Sequence, residues 1–350
     1  MDKLTVNRNI DYYCGKEIAF EYVGEFLDDY AIKRNIPLSG IKIAICSDRQ
    51  VSGYYYNRFE NQFIKRGIKP SLISINCDAS HKNLSAADEL FRALSDFDFG
   101  SDDWLIALGG GGVIDVCGFA DAVFTGGINF MAVPTTLNAM ISGVLTDKAR
   151  LNSNGYKNEI SVPFSPDAVI IDPLFLDTVP GSVKANGTAS VIRLALLESP
   201  ELLMSLVSTT DFRTFIGDVY KVYANVEKMN PQLLTVGNEL ADAIEMYFRF
   251  VKYSEGEALA LSLLSVLDDK KRESLSWFYD KMKLPTTLSD CSSKMILKSL
   301  EKNLRHTGSK GVSIVDYEPK FGGKWAIKDL DVSEAIDIMS ARLETVENKD

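Results

Sequence analysis

The stretch Leu105–Phe119, LIALGGGGVIDVCGF, decides the reading of this 350-residue chain. Leu105 to Leu108 form a short apolar run of the kind that fills a strand buried on both faces. Gly109, Gly110, Gly111 and Gly112 follow, and an apolar helix begins at Val113. Lacking Cβ atoms, such a loop lets the backbone turn sharply and approach a ligand closely. The helix start adds unpaired N–H groups and a partial positive charge, which suits a pyrophosphate. The spacing departs from the common G-x-G-x-x-G fingerprint. A glycine run is also compatible with a plain tight turn, but the strand-to-helix setting favours phosphate.

On either side, strand-like and helix-like segments alternate. Lys42–Cys46, Ser71–Cys77, Trp104–Leu108, Ile128–Val133 and Ala168–Ile171 are short apolar or β-branched runs. Tyr54–Lys65, Leu84–Leu94 and Val113–Phe124 carry helical spacing between them, and Lys16–Tyr30 reads as a helix ahead of the first strand. That order is the signature of a parallel sheet covered on both faces. After Pro180 the pattern turns helical: Val183–Val207, Phe212–Glu227, Thr235–Lys252, Gly256–Leu267, Glu273–Met282, Asp290–Leu304 and Val332–Leu343. Pro200, Pro231 and Pro285 punctuate these helices, and only Val312–Val315 looks like strand. The expectation is an α/β fold: a parallel-sheet dinucleotide-binding domain over 1–180, then an all-helical domain over 181–350.

The net charge of −10 argues against nucleic acid or an anionic membrane surface as partner. The longest nearly uncharged apolar run, Ala258–Leu267, is too short to cross a bilayer. Five scattered cysteines and an N-terminus without a signal-peptide core fit a reducing cytoplasm. Only two histidines are present, His81 and His306, so a metal needing two imidazoles must use both.

Further segments stand where a dinucleotide needs them. Asp48, just after a strand, reads equally as a ribose acceptor or a helix cap. The tripeptide Pro134–Thr136 presents two hydroxyls at another strand's carboxyl end. Lys148, Lys157 and Asn158 add donors and charge in what reads as the loop beyond it.

Taken in order, GGGGVIDVCGFADAV, GGINFMAVPTTLNAM, LTDKARLNSNGYKNEI and PDAVIIDPLFLDTVP resemble the 3-dehydroquinate synthase family. That family shares a superfamily with the iron-type alcohol and glycerol dehydrogenases. CSDRQV and SHKNL match its nucleotide-contacting segments, and NGTASVIR, VGNELADAIE and EGEALALSL fall where it keeps its metal-site motifs. The resemblance implies an N-terminal NAD-binding domain, a C-terminal helical domain, a cleft between them and a homodimer. It implies a chemistry in which bound NAD oxidises a substrate hydroxyl, phosphate leaves, the ketone is re-reduced and a carbocycle closes. Position by position, the implied NAD contacts are Asp48, Lys82, Gly110, Gly111, Asp115, Thr135, Thr136, Lys148, Lys157 and Thr178, with Gly109 and Gly112 in the same loop. Asn158 would lie near a substrate of the sugar-phosphate class.

The same resemblance exposes departures. The family holds a divalent metal with one glutamate and two histidines, lowering the pKa of the hydroxyl to be oxidised. At those positions this chain has Ser190, Asn238 and Glu255. Asp242 replaces the histidine that assists proton transfer, and Arg193 replaces a lysine. Gly126, Ser142 and Thr235 stand where the family keeps an arginine, an aspartate and an asparagine. Serine, amide and one carboxylate make a poor zinc set. The expectation is an NAD-binding protein without a metal, its catalytic set unknown beyond the altered positions Arg193, Asp242, Lys148 and Asn158. The competing expectation is an active cyclase or polyol dehydrogenase with a different site. Glu255 also reads as a first-turn acid behind a capping box, Ser254-x-x-Glu257.

Overall fold

The computed structural model describes residues 1–4, 10–197, 199–266, 269–308, 311–318, 324–344 and 346–347. They form two compact units. The first comprises Met1–Asn154, Asn158–Pro180 and Asp211–Tyr220; the second comprises Gly155–Lys157, Gly181–Thr210 and Lys221–Asp350.

The first unit is built on a sheet that the buried apolar runs dictate. Its strands are β1 (Asp2–Leu4), β2 (Asp11–Cys14), β3 (Ile43–Ser47), β4 (Ser71–Ser74), β5 (Trp104–Gly109), β6 (Asn129–Pro134) and β9 (Ala168–Ile171). Between β6 and β9 lies a separate ribbon of β7 (Lys148–Ser153) and β8 (Tyr156–Pro163). The sheet order is β1-β2-β9-β6-β5-β3-β4, parallel throughout except for β1 at the edge. Every residue of β3, β5 and β9 is buried, as strands with both faces covered require. The helices are α1 (Tyr22–Arg34), α2 (Arg49–Ile64), α3 (Leu84–Asp96), α4 (Gly111–Val123) and the short α5 (Leu137–Ile141).

The five strands read from the sequence are all present, β9 with the same limits. Two strands at one end of the sheet, β1 at the edge and β2 beside it, were not expected. They are short, and β2 alternates half-buried and buried residues instead of forming an apolar run. The segment holding Lys148, Lys157 and Asn158 is a hairpin and not a loop. Asn154 (φ +51°) and Gly155 (φ +80°) make its two-residue turn, where both central positions need a left-handed backbone.

The second unit carries α6 (Gly181–Leu197), α7 (Glu201–Ser208), the half of α8 (Phe212–Met229) that follows Tyr220, α9 (Asn238–Tyr247), α10 (Glu255–Val266), α11 (Asp269–Met282), α12 (Ser293–Thr307) and α13 (Val332–Leu343). It is helical as expected, with one correction. An antiparallel hairpin, β10 (Gly311–Glu318) and β11 (Lys324–Asp331), precedes α13, where the sequence marks only Val312–Val315. The single helix expected over Val183–Val207 is two, with Pro200 just ahead of α7, since proline cannot donate to the preceding turn.

Candidate functional site

In the first unit the chain runs β3, then outward to β4, then back across β3 to β5. This reversal makes the carboxyl edge between β3 and β5 the topological switch point, where ligands of such sheets bind. Register aligns Ser74, Ser47, Leu108 and Val133 along that edge. Asp48, Gly109–Gly112 and Thr135–Thr136 therefore emerge side by side.

Within the glycine loop the four residues do different things. A Cβ on Gly112 would lie 1.9 Å from the Cys77 carbonyl oxygen, and one on Gly109 would meet the Val113 side chain at 2.6 Å. These two glycines permit close packing of α4 on its neighbours. A Cβ on Gly110 would sit 3.3 Å from Thr136 Cγ2, whereas one on Gly111 would meet nothing within 4 Å. None of the four has a left-handed φ. Close approach, not an unusual turn, is what this loop needs glycine for.

α4 also differs from its neighbours in how it starts. Asp48 Oδ1 accepts from Val51 N (2.9 Å) at α2, Asn83 Oδ1 from Ser85 N at α3, and Thr136 Oγ1 from Ala139 N (3.3 Å) at α5. The N-cap of α4 is Gly110, which has no side chain to offer. Among the described residues, no side chain caps the first N–H groups of α4, and such uncapped amides are a ready site for an anion. Ser47 Oγ and Thr135 Oγ1, buried at the same edge, have no hydrogen-bond partner.

Beside the loop lies a polar network. Lys82 Nζ contacts Asp115 Oδ2 at 2.7 Å and Asn158 Oδ1 at 2.8 Å, and Asp115 Oδ1 accepts from Arg150 N. Asn152, which the sequence reading missed, ties these groups together. Its Oδ1 accepts from Asn158 N (2.8 Å), its Nδ2 donates to Ala79 O (2.8 Å), and its N donates to Lys82 O. The Asn154–Gly155 turn was the available signal, because it fixes which residues the ribbon pairs. Thr178 Oγ1 shares a 2.6 Å hydrogen bond with Tyr55. Lys148 opens β7, exposed. Of the two histidines, His81 contacts Asp78 at 2.8 Å on the surface, and His306 stacks on Tyr156 at 3.7 Å within the second unit.

Lys157, read from the sequence as a nucleotide contact, is held by carboxylates in this structure. It belongs to the second unit, where its ammonium meets Glu245 Oε1 at 2.5 Å, Asp242 Oδ1 at 3.0 Å and Glu255 Oε1 at 3.4 Å. Burial lowers the pKa of this lysine, but the three carboxylates outweigh burial and hold it well above its usual range. Burial pushes Glu245 upward against the opposing pull of Lys157. The sequence reading had not singled out Glu245, one turn beyond Asp242 on α9.

Four further altered positions, Ser190, Arg193, Asn238 and Glu255, belong to the second unit, whereas Gly126 and Ser142 belong to the first. Ser190 and Arg193 are one turn apart on α6, both buried. Arg193 Nη1 donates to Asn238 Oδ1 at 2.7 Å and to Val236 O at 3.3 Å. Burial brings its pKa down to about 10, against the raising influence of Glu255, Tyr223, Glu239 and Asp242, so it stays charged at neutral pH. Glu255 is set in place by backbone contact: Gly256 N donates to Asn186 Oδ1, and a Cβ on Gly256 would lie 2.2 Å from Asn186 Cα. Ser254 and Glu257 form the capping box read from the sequence, with Ser254 N on Glu257 Oε2 at 2.9 Å and Glu257 N on Ser254 Oγ at 3.4 Å. Among the described residues, no group of three His, Cys, Asp or Glu is arranged to hold a metal ion.

Comparison with known proteins places these features in context. The family model described as "3-dehydroquinate synthase N-terminal" matches residues 72–186. The 3-dehydroquinate synthase of Clostridium kluyveri is 27% identical over 290 residues, covering 77% of this chain and 81% of the relative. That of Clostridium acetobutylicum is 27% identical over 291 residues, covering 76% and 82%. Among solved structures, 2-epi-5-epi-valiolone synthase from Streptomyces hygroscopicus, with NAD+ and Zn2+ bound, superposes with a TM-score of 0.78 at 18% identity over 99% of both chains. A 2-deoxy-scyllo-inosose synthase complexed with carbaglucose-6-phosphate, NAD+ and Co2+ gives 0.76 at 17% identity, covering 97% of this chain and 99% of that one.

Proposed function

We propose that this chain, similar to 3-dehydroquinate synthases over about three quarters of its length, is a divergent member of that family that binds NAD on the glycine loop but does not run the family's metal-assisted cyclisation. The observation that carries the nucleotide half is the start of α4: first-turn N–H groups without a side-chain cap, and open space at Gly111. A pyrophosphate fits there. Gly111, Gly112 and Val113 would supply N–H donors, and Asp48 and the Lys82–Asp115 pair would flank the ribose and nicotinamide portions. When bound, NAD supplies a hydride acceptor; the chain's own part is to hold and orient it.

The metal does not fit as well. Asn238 is engaged by the Arg193 guanidinium, and the Glu255 carboxylate faces the Lys157 ammonium. A divalent ion placed among Ser190, Asn238 and Glu255 would meet two resident cations and only one anionic donor. This electrostatic misfit supports a protein that has kept the nucleotide side and altered the catalytic side. A homodimer in the cytoplasm, with a small sugar-phosphate-like ligand, belongs to the same reading. Among the described residues, no helix is long and apolar enough to cross a membrane.

The test is direct. Purified protein is titrated with NAD by calorimetry, then incubated with NAD and phosphorylated sugar acids or polyols while nicotinamide absorbance and phosphate release are followed. Binding without turnover is the expected result. Phosphate release at rates of order 1 s⁻¹ or faster, ordinary for an enzyme, overturns the second half of the proposal. Failure to bind NAD overturns the first.

A further inference from the structure

The contacts of Lys157 carry an inference beyond the altered metal ligands, though it rests on that reading. An ammonium has three N–H donors and no acceptor. Here three carboxylates, from two positions on α9 and one on α10, converge on that single nitrogen. The lysine side chain is 8% exposed and that of Glu245 1%, while Asp242 and Glu255 are 26% and 56% exposed. A buried ammonium whose donors are all engaged has none left for a substrate. Its part is to neutralise charge: without it, three anions would crowd together in a partly dry pocket.

A second feature points the same way. Arg193, 8% exposed, stands within the field of Glu255 and Asp242, and its Nε has no hydrogen-bond partner. The acids here are answered by fixed side-chain cations. Lys157 is the second residue of β8, and the first, Tyr156, stacks on His306 with Lys302 5.1 Å from its ring.

We propose that Lys157 is the built-in cation of this pocket: it fills the space among Asp242, Glu245 and Glu255, and removing its charge converts them into a site for a hard divalent cation. The carboxylate oxygens now stand 2.5–3.4 Å from the nitrogen, wider than the roughly 2.3–2.6 Å of calcium–oxygen bonds. That spread is consistent with no metal group being formed while the ammonium is present.

The experiment uses the full chain and Mn2+ alone as probe. The parent protein should show no thermal shift at about 1 mM Mn2+, and Lys157→Met should bind one Mn2+ at least about tenfold more tightly than the parent and melt at higher temperature with it. The double variant Lys157→Met/Glu245→Gln should lose that gain. If Lys157→Met is unfolded by itself, recovery of its helical circular dichroism with Mn2+ supports the proposal equally. A folded variant without Mn2+ gain, an unfolded one that Mn2+ does not rescue, or a parent that binds Mn2+ in a Glu245-dependent manner each overturns it. None of these readouts depends on turnover. Cyclisation by the parent would sink the proposed function and leave this assignment to be judged on its own.

Discussion

Gly111 and Gly112 are adjacent and chemically identical, yet the structure gives them opposite tolerances. Gly112→Ala forces a methyl group into the Cys77 carbonyl and should cost at least about 2 kcal/mol of stability. Gly111→Ala meets open space; it should change stability by less than about 1 kcal/mol while weakening NAD binding by about tenfold or more, because the methyl group occupies the phosphate's approach. Urea denaturation and calorimetry on both variants check the contrast. If Gly111→Ala binds NAD as the parent does, the loop is a packing device only. A different single residue governs pH dependence. Burial, reinforced by the charge of Asp167, raises Asp121 on α4 to about 7. Folding then takes up a proton between the ordinary aspartate range and pH 7. The associated stability is complete below pH about 4 and is lost as pH rises through 7. Asp121→Asn should therefore be more stable than the parent at pH 8, by about 1–2 kcal/mol once its half-buried position is allowed for. The difference should shrink towards pH 4. Equal gaps between urea midpoints at pH 5 and pH 8 would contradict this.

Two local elements set the positions of the functional side chains. The Asn154–Gly155 turn fixes the register of the β7–β8 ribbon. Gly155→Ala, at φ +80°, should cost about 1 kcal/mol, read as a lowered melting temperature. The capping box at α10 holds the turn that carries Glu255. Ser254→Ala and Glu257→Ala should each cost about 1 kcal/mol. Because the two side chains share the same hydrogen bonds, the double variant should cost clearly less than the sum. A fully additive double-mutant cycle in chemical denaturation would show that the box does not act as a unit. Of these two devices the capping box was plain in the sequence, as Ser254-x-x-Glu257. The ribbon was not: β8 alternates half-buried and exposed residues, so no apolar run announced it, and Asn154–Gly155 was its one strong signal.

For the chain as a whole, the central parallel strands were legible because both faces of β3, β5 and β9 are covered, and burial on both faces leaves an unbroken apolar run in the sequence. The edge strand β1 and its neighbour β2 lack that imprint. The strand-end positions of Asp48, the glycine loop and Thr135–Thr136 were legible because each lies within a few residues of a recognisable apolar run. Lys157 was placed with the nucleotide by the family resemblance, carried over position by position. Its true partners are 85 to 98 positions away, as the separations 242 − 157 and 255 − 157 give, and no local pattern encodes such a meeting. Ligand linkage supplies the test at this level. NAD present at about a hundred times its dissociation constant should add about 2.7 kcal/mol to the unfolding free energy. The gain should follow the logarithm of NAD concentration. A denaturation midpoint indifferent to NAD would mean that the fold has been kept without its ligand.

The bare start of α4 has one more consequence, in the time domain. The amides of Gly111, Gly112 and Val113 precede the first intrahelical bond, which Ile114 N makes to Gly110 O. In free protein they should trade their protons for solvent deuterons quickly, faster than Val51 at the start of α2, whose N–H is held by Asp48. Saturating nucleotide should slow these three amides sharply and leave Val51 nearly untouched, so that deuterium uptake records occupancy of the loop one amide at a time.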